Sequence, residues 1–457
     1  MPSLGALRRA VRRAVLPEWS SRNFVVVLTA RVIMSSGRAL AGIITPIYLA
    51  LQGFSAIELA EYVMLVALLS AVFSTLIGLY SDQLGRRPFL IGVPLLAAGA
   101  ATVFAFTGST PVLFAMGALG SFGRGAGAGA GAVGPYQPAE SAFVTEAIPP
   151  AGRNDAFGRL AFGSSLGATG GGLLALMDDH AHVHGAAAMV AFRPGFLAIA
   201  AVSVLAGLLA IWLVEPRRPP RAQGAKRPRV RWPGRSRTLL YKLWVTNTLN
   251  GMAVGMFGPF ITYWFFRRFE VGPGRVGVLF AIINVVTMAS TLSAASIARR
   301  IGVVKAVTIF RSIQAVLLVP MALAPSFEVA GGIYLVRMAV QRIGLPLRQS
   351  YAISQADRSE RASVAALSNL PSQLAMAASP IFSGYLFDEV SLAAPFEISS
   401  VLQLGNALSF WGFFRNQPPE EERAAAAALK AQAAELAEQP DGLLALDELE
   451  QEPTSSE

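Results

Sequence analysis

Ionisable side chains inside long apolar runs are the residues of this chain best placed to do chemistry. A charge at mid-bilayer costs roughly 2.5–3.5 kcal/mol on insertion scales, so it persists only against a partner or a water-filled cavity. Arg31, Arg38, Arg124, Arg311, Arg337, Arg342 and Arg348 are such cations. Glu140 is the acid set among them, and Glu61 lies nearer the end of its run. Arg31, Ser35, Arg38, Gly42 and Thr45 follow at i, i+4, i+7, i+11 and i+14, one face of a helix. Arg337, Gln341, Gly344 and Arg348 repeat the pattern. Asn247, Asn250, Asn284, Gln314, Asn369 and Gln373 complete a candidate cavity lining, although hydrogen bonding between helices would account for about half of these polar residues. Glu140 falls roughly 9 Å, and Arg31 roughly 12 Å, from the same end of their helices at ~1.5 Å per residue, so the two can meet at one depth. Burial favours a protonated carboxyl and an adjacent arginine favours an ionised one. A pair that forms and breaks could therefore take up and release a proton.

Three glycine-marked stretches position these groups. Gly78 to Arg87, G-L-Y-S-D-Q-L-G-R-R, joins apolar runs 57–79 and 88–107. So short a connection forces the flanking helices antiparallel and puts Asp82, Arg86 and Arg87 at the membrane–water boundary. Gly78 and Gly85 would allow a tight turn and close backbone approach. An ordinary basic loop accounts for the arginines but not for Gly78, Asp82 and Gly85. The run G-S-S-L-G-A-T-G-G-G places Gly163, Gly167, Gly171 and Gly172 along one helix, where generic small-residue packing is the plain explanation. The run G-R-G-A-G-A-G-A-G-A-V-G contains a formal G-x-G-x-x-G, Gly129 to Gly134. No strand precedes it, so close helix packing beside Arg124 is preferred to a dinucleotide loop. No G-x-x-x-x-G-K-[ST] occurs, so ATP binding by a P-loop is excluded. Asp178, Asp179, His180, His182 and His184 alternate in a loop. Histidines so spaced can bind metal, but a solvated loop is preferred, and no metal site or cofactor is expected.

Composition sets the medium. With 53% hydrophobic and 14% charged residues over 457, the chain is too apolar for a soluble protein of this length. Apolar runs long enough to span a bilayer recur near 23–50, 57–79, 88–107, 112–145, 156–178 and 189–214, then near 239–266, 275–297, 302–324, 328–350, 363–387 and 395–414. The fold class expected is an all-α polytopic membrane protein: twelve transmembrane helices in two six-helix halves, 23–214 and 239–414, around a central cavity. Residues 1–22 form a basic lead, an interfacial helix or a disordered tail. The Pro/Arg-rich 215–238 is a basic linker, and 415–457 an acidic, alanine-rich tail. There is no cysteine, hence no disulfide or thiolate site.

A net charge of +10 could suggest nucleic acid. The basic residues concentrate in alternate loops instead, as the positive-inside rule requires, which places both termini in the cytoplasm of a cell (inner or plasma) membrane and makes the lipid bilayer the partner. The halves also repeat. A shift of 213 positions lays Gly42 on Gly255, Pro46 on Pro259, Arg86–Arg87 on Arg299–Arg300 and Arg124 on Arg337. In the second copy Thr291 and Ala295 replace Gly78 and Asp82.

The 78–87 stretch resembles the loop signature of the major facilitator superfamily, G-x-x-x-D-[RK]-x-G-[RK]-[RK], through Gly78, Asp82, Gly85, Arg86 and Arg87. Gln83 departs from it. The resemblance implies a loop that latches one conformation of a carrier, with a weaker latch here. The fifth run resembles the superfamily's antiporter motif, g-x-x-x-G-P-x-x-G-G, with Ala168 in place of proline, and Arg124 resembles the arginine of its fourth-helix motif. The function implied is secondary active transport of a small organic solute by alternating access, as a monomer, with the proton as coupling ion and efflux in the manner of drug:proton antiporters. The intramembrane arginines point alternatively to uptake or exchange of an anionic solute. A reading of another class is a non-transporting membrane sensor or assembly factor.

Overall fold

The computed structural model describes residues 19–123, 134–178, 182–215, 232–292, 301–357 and 360–417. The basic lead, most of the linker, the acidic tail and Arg124 lie outside the described residues, as does the side chain of Asp82.

Twelve helical spans run up and down. The first three are Arg22–Leu51, Ala56–Leu84 and Arg87–Phe106. The fourth comprises Thr110–Gly120 and Tyr136–Ala147, the fifth is Arg153–Leu174 with a 3-10 turn Ala175–Asp178, and the sixth is Ala186–Ile211. In the second half the seventh comprises Arg237–Phe257 and Ile261–Phe269, the eighth is Pro273–Leu292, and the ninth comprises Val303–Val316 and Leu318–Ala322. The tenth is Phe327–Ser354, the eleventh comprises Arg361–Ser368 and Leu370–Glu389, and the twelfth is Ala394–Phe414. Seven of the described helices are each apolar and long enough to cross a membrane unaided. The remaining spans are interrupted or carry polar residues turned towards neighbours, such as Arg337 on the tenth and Gln403 and Asn406 on the twelfth.

Internal duplication shows as repeated packing. In the N-terminal half the largest interfaces join first with fifth, third with sixth and first with sixth spans. In the C-terminal half they join seventh with eleventh, ninth with twelfth and seventh with twelfth, the same pairs displaced by six. Between halves, second packs on eleventh and fifth on eighth, again a symmetric pair. Parallel six-helix repeats of this kind are a transporter architecture.

Backbone contact, not large side chains, sets the first–fifth interface. A Cβ on Gly167 would stand 2.1 Å from the Val32 carbonyl oxygen, and one on Gly171 2.2 Å from that of Ser36. Gly163 lies against Leu28 and Val32, and Gly172 against the Gly277 carbonyl of the eighth span. Without a strong hydrophobic drive in lipid, such approach gains dispersion and excludes any side chain. Gly78 differs from the expectation of close packing: nothing lies within 4 Å of its Cβ position. Its neighbours on the second span, Leu76, Leu79 and Tyr80, are exposed, so no helix covers that face.

Gly171→Ala should therefore lower thermal stability in detergent, by about 1–3 kcal/mol for an overpacked contact. Gly78→Ala should be neutral or stabilising by up to about 1 kcal/mol, since alanine is the better helix former. Equal losses in both would contradict this account of the interface.

Candidate functional site

Arg31 and Glu140 meet. Arg31 Nη2 lies 2.6 Å from Glu140 Oε2, the most deeply buried ion pair among the described residues. Glu140 is 0% and Arg31 5% exposed. Phe24, Val27, Met34, Ala139 and Phe143 form the apolar cluster at this level of the two helices. At this separation charge attraction from Arg31 holds the buried carboxylate. Tyr136, one helical turn earlier, is wholly buried with its hydroxyl unpartnered. Sequence reasoning passed over it, although i and i+4 share a helix face. Arg38, two turns beyond Arg31, is half-buried and reaches the Ser121 carbonyl at 3.4 Å. Its guanidinium also lies against Gly134, which takes φ +59 where the inner part of the fourth span begins. A cavity of about 50 Å³ adjoins Arg38, lined also by Met34, Ile77 and Pro135.

The 78–87 connection is tied inside its own half. Gly85 ends the second span at φ +99, where an added Cβ would strike the Glu215 carboxylate at 2.7 Å. Glu215 accepts from the Arg86 backbone N–H at 2.7 Å. The Arg86 side chain donates to Ser81 Oγ at 3.0 Å and pairs with Glu146 at 2.7 Å, at the end of the fourth span. Arg87 donates to the Ile211 carbonyl at 2.5 Å, at the end of the sixth. Glu146 and Glu215 were not singled out from the sequence; each is a plain loop acid until the fold brings four helix ends together.

The opposite face holds the two halves together. Asp388, near the end of the eleventh span, accepts from the backbone N–H of Ala56 and of Ile57, both at 3.0 Å, at the start of the second. Ser55 and Glu58 form a capping box on the same terminus. Gly384, one turn before Asp388, packs on Ile57 and Ala56. Together with Gly172 on Gly277, these contacts bridge the halves at the face away from the chain termini. At the face of the termini Leu84, Leu370 and Leu374 are exposed. The directed bonds between the halves named here thus lie at the face away from the termini.

Other predicted positions scatter. Asn284 is buried and bonded to its own helix through the Phe280 carbonyl. Asn250 is half-buried, and Asn369 and Gln373 are exposed where the eleventh span breaks. Asp178 corrects the solvated-loop expectation: it is 0% exposed and accepts from the Gly195 N–H at 3.1 Å, just after the helix-interrupting Pro194. His182 and His184 are exposed, residues 179–181 lie outside the described residues, and no group of three or more metal-ligating side chains occurs among those described. Three arginines of the ninth and tenth spans contact neutral groups: Arg311 donates to Asn406, Arg348 to Asn247, and Arg337 to the Gln314 carbonyl at 3.2 Å.

The family model described as Major Facilitator Superfamily matches residues 27–344 and 243–446. The chain belongs to the major facilitator superfamily. As a superfamily member it is a multi-pass membrane transporter of small-molecule solutes rather than an enzyme. No curated protein matches the sequence. Among solved structures, a bacterial homolog of the human lysosomal transporter Spinster, in an inward-facing and unoccupied conformation, aligns with TM-score 0.64 at 12% identity, over 86% of this chain and 95% of that one. The nucleoside transporter NupG aligns with TM-score 0.65 at 12% identity over 86% and 99%, and a D-xylose–proton symporter with 0.61 at 15% over 85% and 96%. At these identities the likeness is one of fold.

The two faces can be tested separately. Asp388→Ala removes a carboxylate that caps a helix across the halves, so the described state should lose population and transport should change without loss of expression. Arg86→Ala breaks ties within one half at the other face and should also impair flux. Accessibility of single cysteines placed at Leu370 and at Ile57 reads the two faces separately. Unchanged accessibility at both sites in the Asp388→Ala protein would refute the latch.

Proposed function

We propose that the chain is a proton-coupled secondary transporter that exports a small organic solute by alternating access, in the manner of the drug:proton antiporter branch. The observation that carries this reading is the Arg31–Glu140 pair, an acid and a base both out of water, 2.6 Å apart, on two different spans. A carboxylate so placed needs either its counter-ion or a proton. When the halves rock and the first and fourth spans shift, attraction to Arg31 weakens and Glu140 binds a proton from one aqueous phase. Reforming the pair expels that proton to the other phase. Tyr136, unpartnered one turn away, is a candidate to receive a hydrogen bond from the protonated carboxyl.

The glycine ladder Gly163, Gly167 and Gly171 supports the same motion, because a backbone-to-backbone interface with the first span offers a smooth surface along which Arg31 can move. The loop charge bias favours cytoplasmic termini in a cell membrane. In that orientation the described state faces inward, and a monomer suffices because both halves of the cavity come from one chain.

Glu140→Gln keeps the size of the side chain and removes its ionisation. In proteoliposomes it should abolish solute flux driven by an imposed pH gradient while retaining solute exchange at equal pH. Undiminished pH-driven flux would remove Glu140 from the mechanism, and absence of any solute flux in the unsubstituted protein would favour a sensor.

A further inference from the structure

One buried acid has no part in the coupling scheme above. Asp178 ends the 3-10 turn that follows the fifth span and is 0% exposed. Its Oδ1 accepts from the Gly195 N–H at 3.1 Å, while its Oδ2 is buried with no partner. That oxygen packs so closely on the sixth span that a Cβ on Gly195 would overlap it, and Ile44 of the first span lies at the same spot. Among the described residues no cation lies within 4.0 Å of the carboxyl group. Capping the Gly195 amide needs only one oxygen, and an asparagine would do it without a charge. The second oxygen is left unexplained by a capping role.

The turn that carries Asp178 lies on the seam between the halves. It packs on the first and sixth spans of its own half and on the eighth span of the other. Gly172 and Ala175 both lie against Gly277 of the eighth span. The charged and titratable groups of these elements are engaged elsewhere. On the sixth span Arg193 stands over the Phe106 ring at 4.7 Å, and on the eighth Arg275 pairs with Glu328. On the first, Arg31 pairs with Glu140, Arg38 reaches the Ser121 carbonyl, and the Tyr48 hydroxyl donates to the Thr107 carbonyl at 3.5 Å. The fifth span has no charged residue between Arg159 and Asp178. His182 and His184 are exposed, and Asp179 and His180 lie outside the described residues. A carboxylate out of water with no counter-charge is costly, whereas the protonated group is neutral and can donate from its second oxygen.

We propose that Asp178 is a proton-binding site that controls the gate between the halves. It holds a proton while the halves are joined at the face away from the termini. When the fifth and eighth spans separate there and water reaches the turn, the O–H bond breaks, the proton passes to that water and a solvated carboxylate remains. The proton enters and leaves on one side only, so Asp178 sets how readily this face opens and carries nothing across. The joined form binds the proton more tightly, so acid at this face favours closure. As pH rises between the proton affinities of the two forms, the open-to-joined ratio should grow by up to about tenfold per pH unit for a single site. The inference rests on alternating access and stands whether or not Glu140 couples transport.

The test uses the full chain in lipid nanodiscs, with spin labels on His184→Cys and Glu389→Cys, exposed positions at this face on opposite halves of a chain with no native cysteine. Pulsed electron paramagnetic resonance then reads the distance across the gate from mildly acidic to mildly alkaline pH. A short distance should dominate in acid, and a longer one should grow as pH rises. Asp178→Asn keeps an acceptor for the Gly195 amide but cannot ionise, so it should hold the short distance at every pH. Glu140→Gln should keep the pH response of the parent. A pH-independent distance in the parent, the same pH response in Asp178→Asn, or loss of the response in Glu140→Gln would each overturn the proposal. Should Asp178→Asn fail to fold, infrared spectra of the Glu140→Gln protein decide, because Glu140 and Asp178 are the two buried acids among the described residues. A protonated-carboxyl band at neutral pH is the expected result, and its absence would equally overturn the assignment.

Discussion

An ionised group held out of water must be neutralised, and that requirement is met differently in the two halves of this molecule. In the N-terminal half Arg31 and Glu140 neutralise each other on adjacent spans. In the C-terminal half Arg311, Arg337 and Arg348 rest on aromatic faces and amide oxygens, with no described acid beside them. Backbones related by a 213-residue repeat thus carry unlike electrostatics.

The rest of the structure allows that chemistry to change sides. Glycine-mediated contact between the first and fifth spans brings their backbones together with no side chain to obstruct a shift of the first span. Between the halves, Asp388 caps the second span and Gly384 and Gly172 admit close approach at the face away from the termini. Arg86, Glu146 and Glu215 gather the helix ends of the N-terminal half at the other face. A hydrophobic cluster shared by the halves, from Tyr48 and Phe196 to Phe257 and Trp264, adds non-directional packing to these directed bonds.

Much of this was legible in the sequence because it depends on local periodicity. Apolar runs, the 213-residue offset and the common depth of Arg31 and Glu140 follow from counting along helices, and the packing of Gly163, Gly167 and Gly171 follows from their spacing. What escaped depends on where distant helix ends meet. Asp388, Glu215 and Glu146 look like loop acids until the second, fourth, sixth and eleventh spans converge. Asp178 sits in a histidine-rich loop sequence, yet it folds inward to accept the amide beside Pro194. Gly78 was read as a packing glycine because its motif suggests a close neighbour, but its face is open in this state.

The central claim is that the Arg31–Glu140 pair is made in one state and broken in the other. Asp388→Ala removes the carboxylate that ties the second span to the eleventh and so shifts the protein away from the described state. Infrared difference spectra of the unsubstituted and Asp388→Ala proteins, with and without Glu140→Gln, then report the carboxyl group directly. The account predicts an ionised Glu140 in the unsubstituted protein and, in Asp388→Ala at mildly acidic pH, a protonated-carboxyl band that Glu140→Gln removes. The same protonation state in both proteins would contradict it.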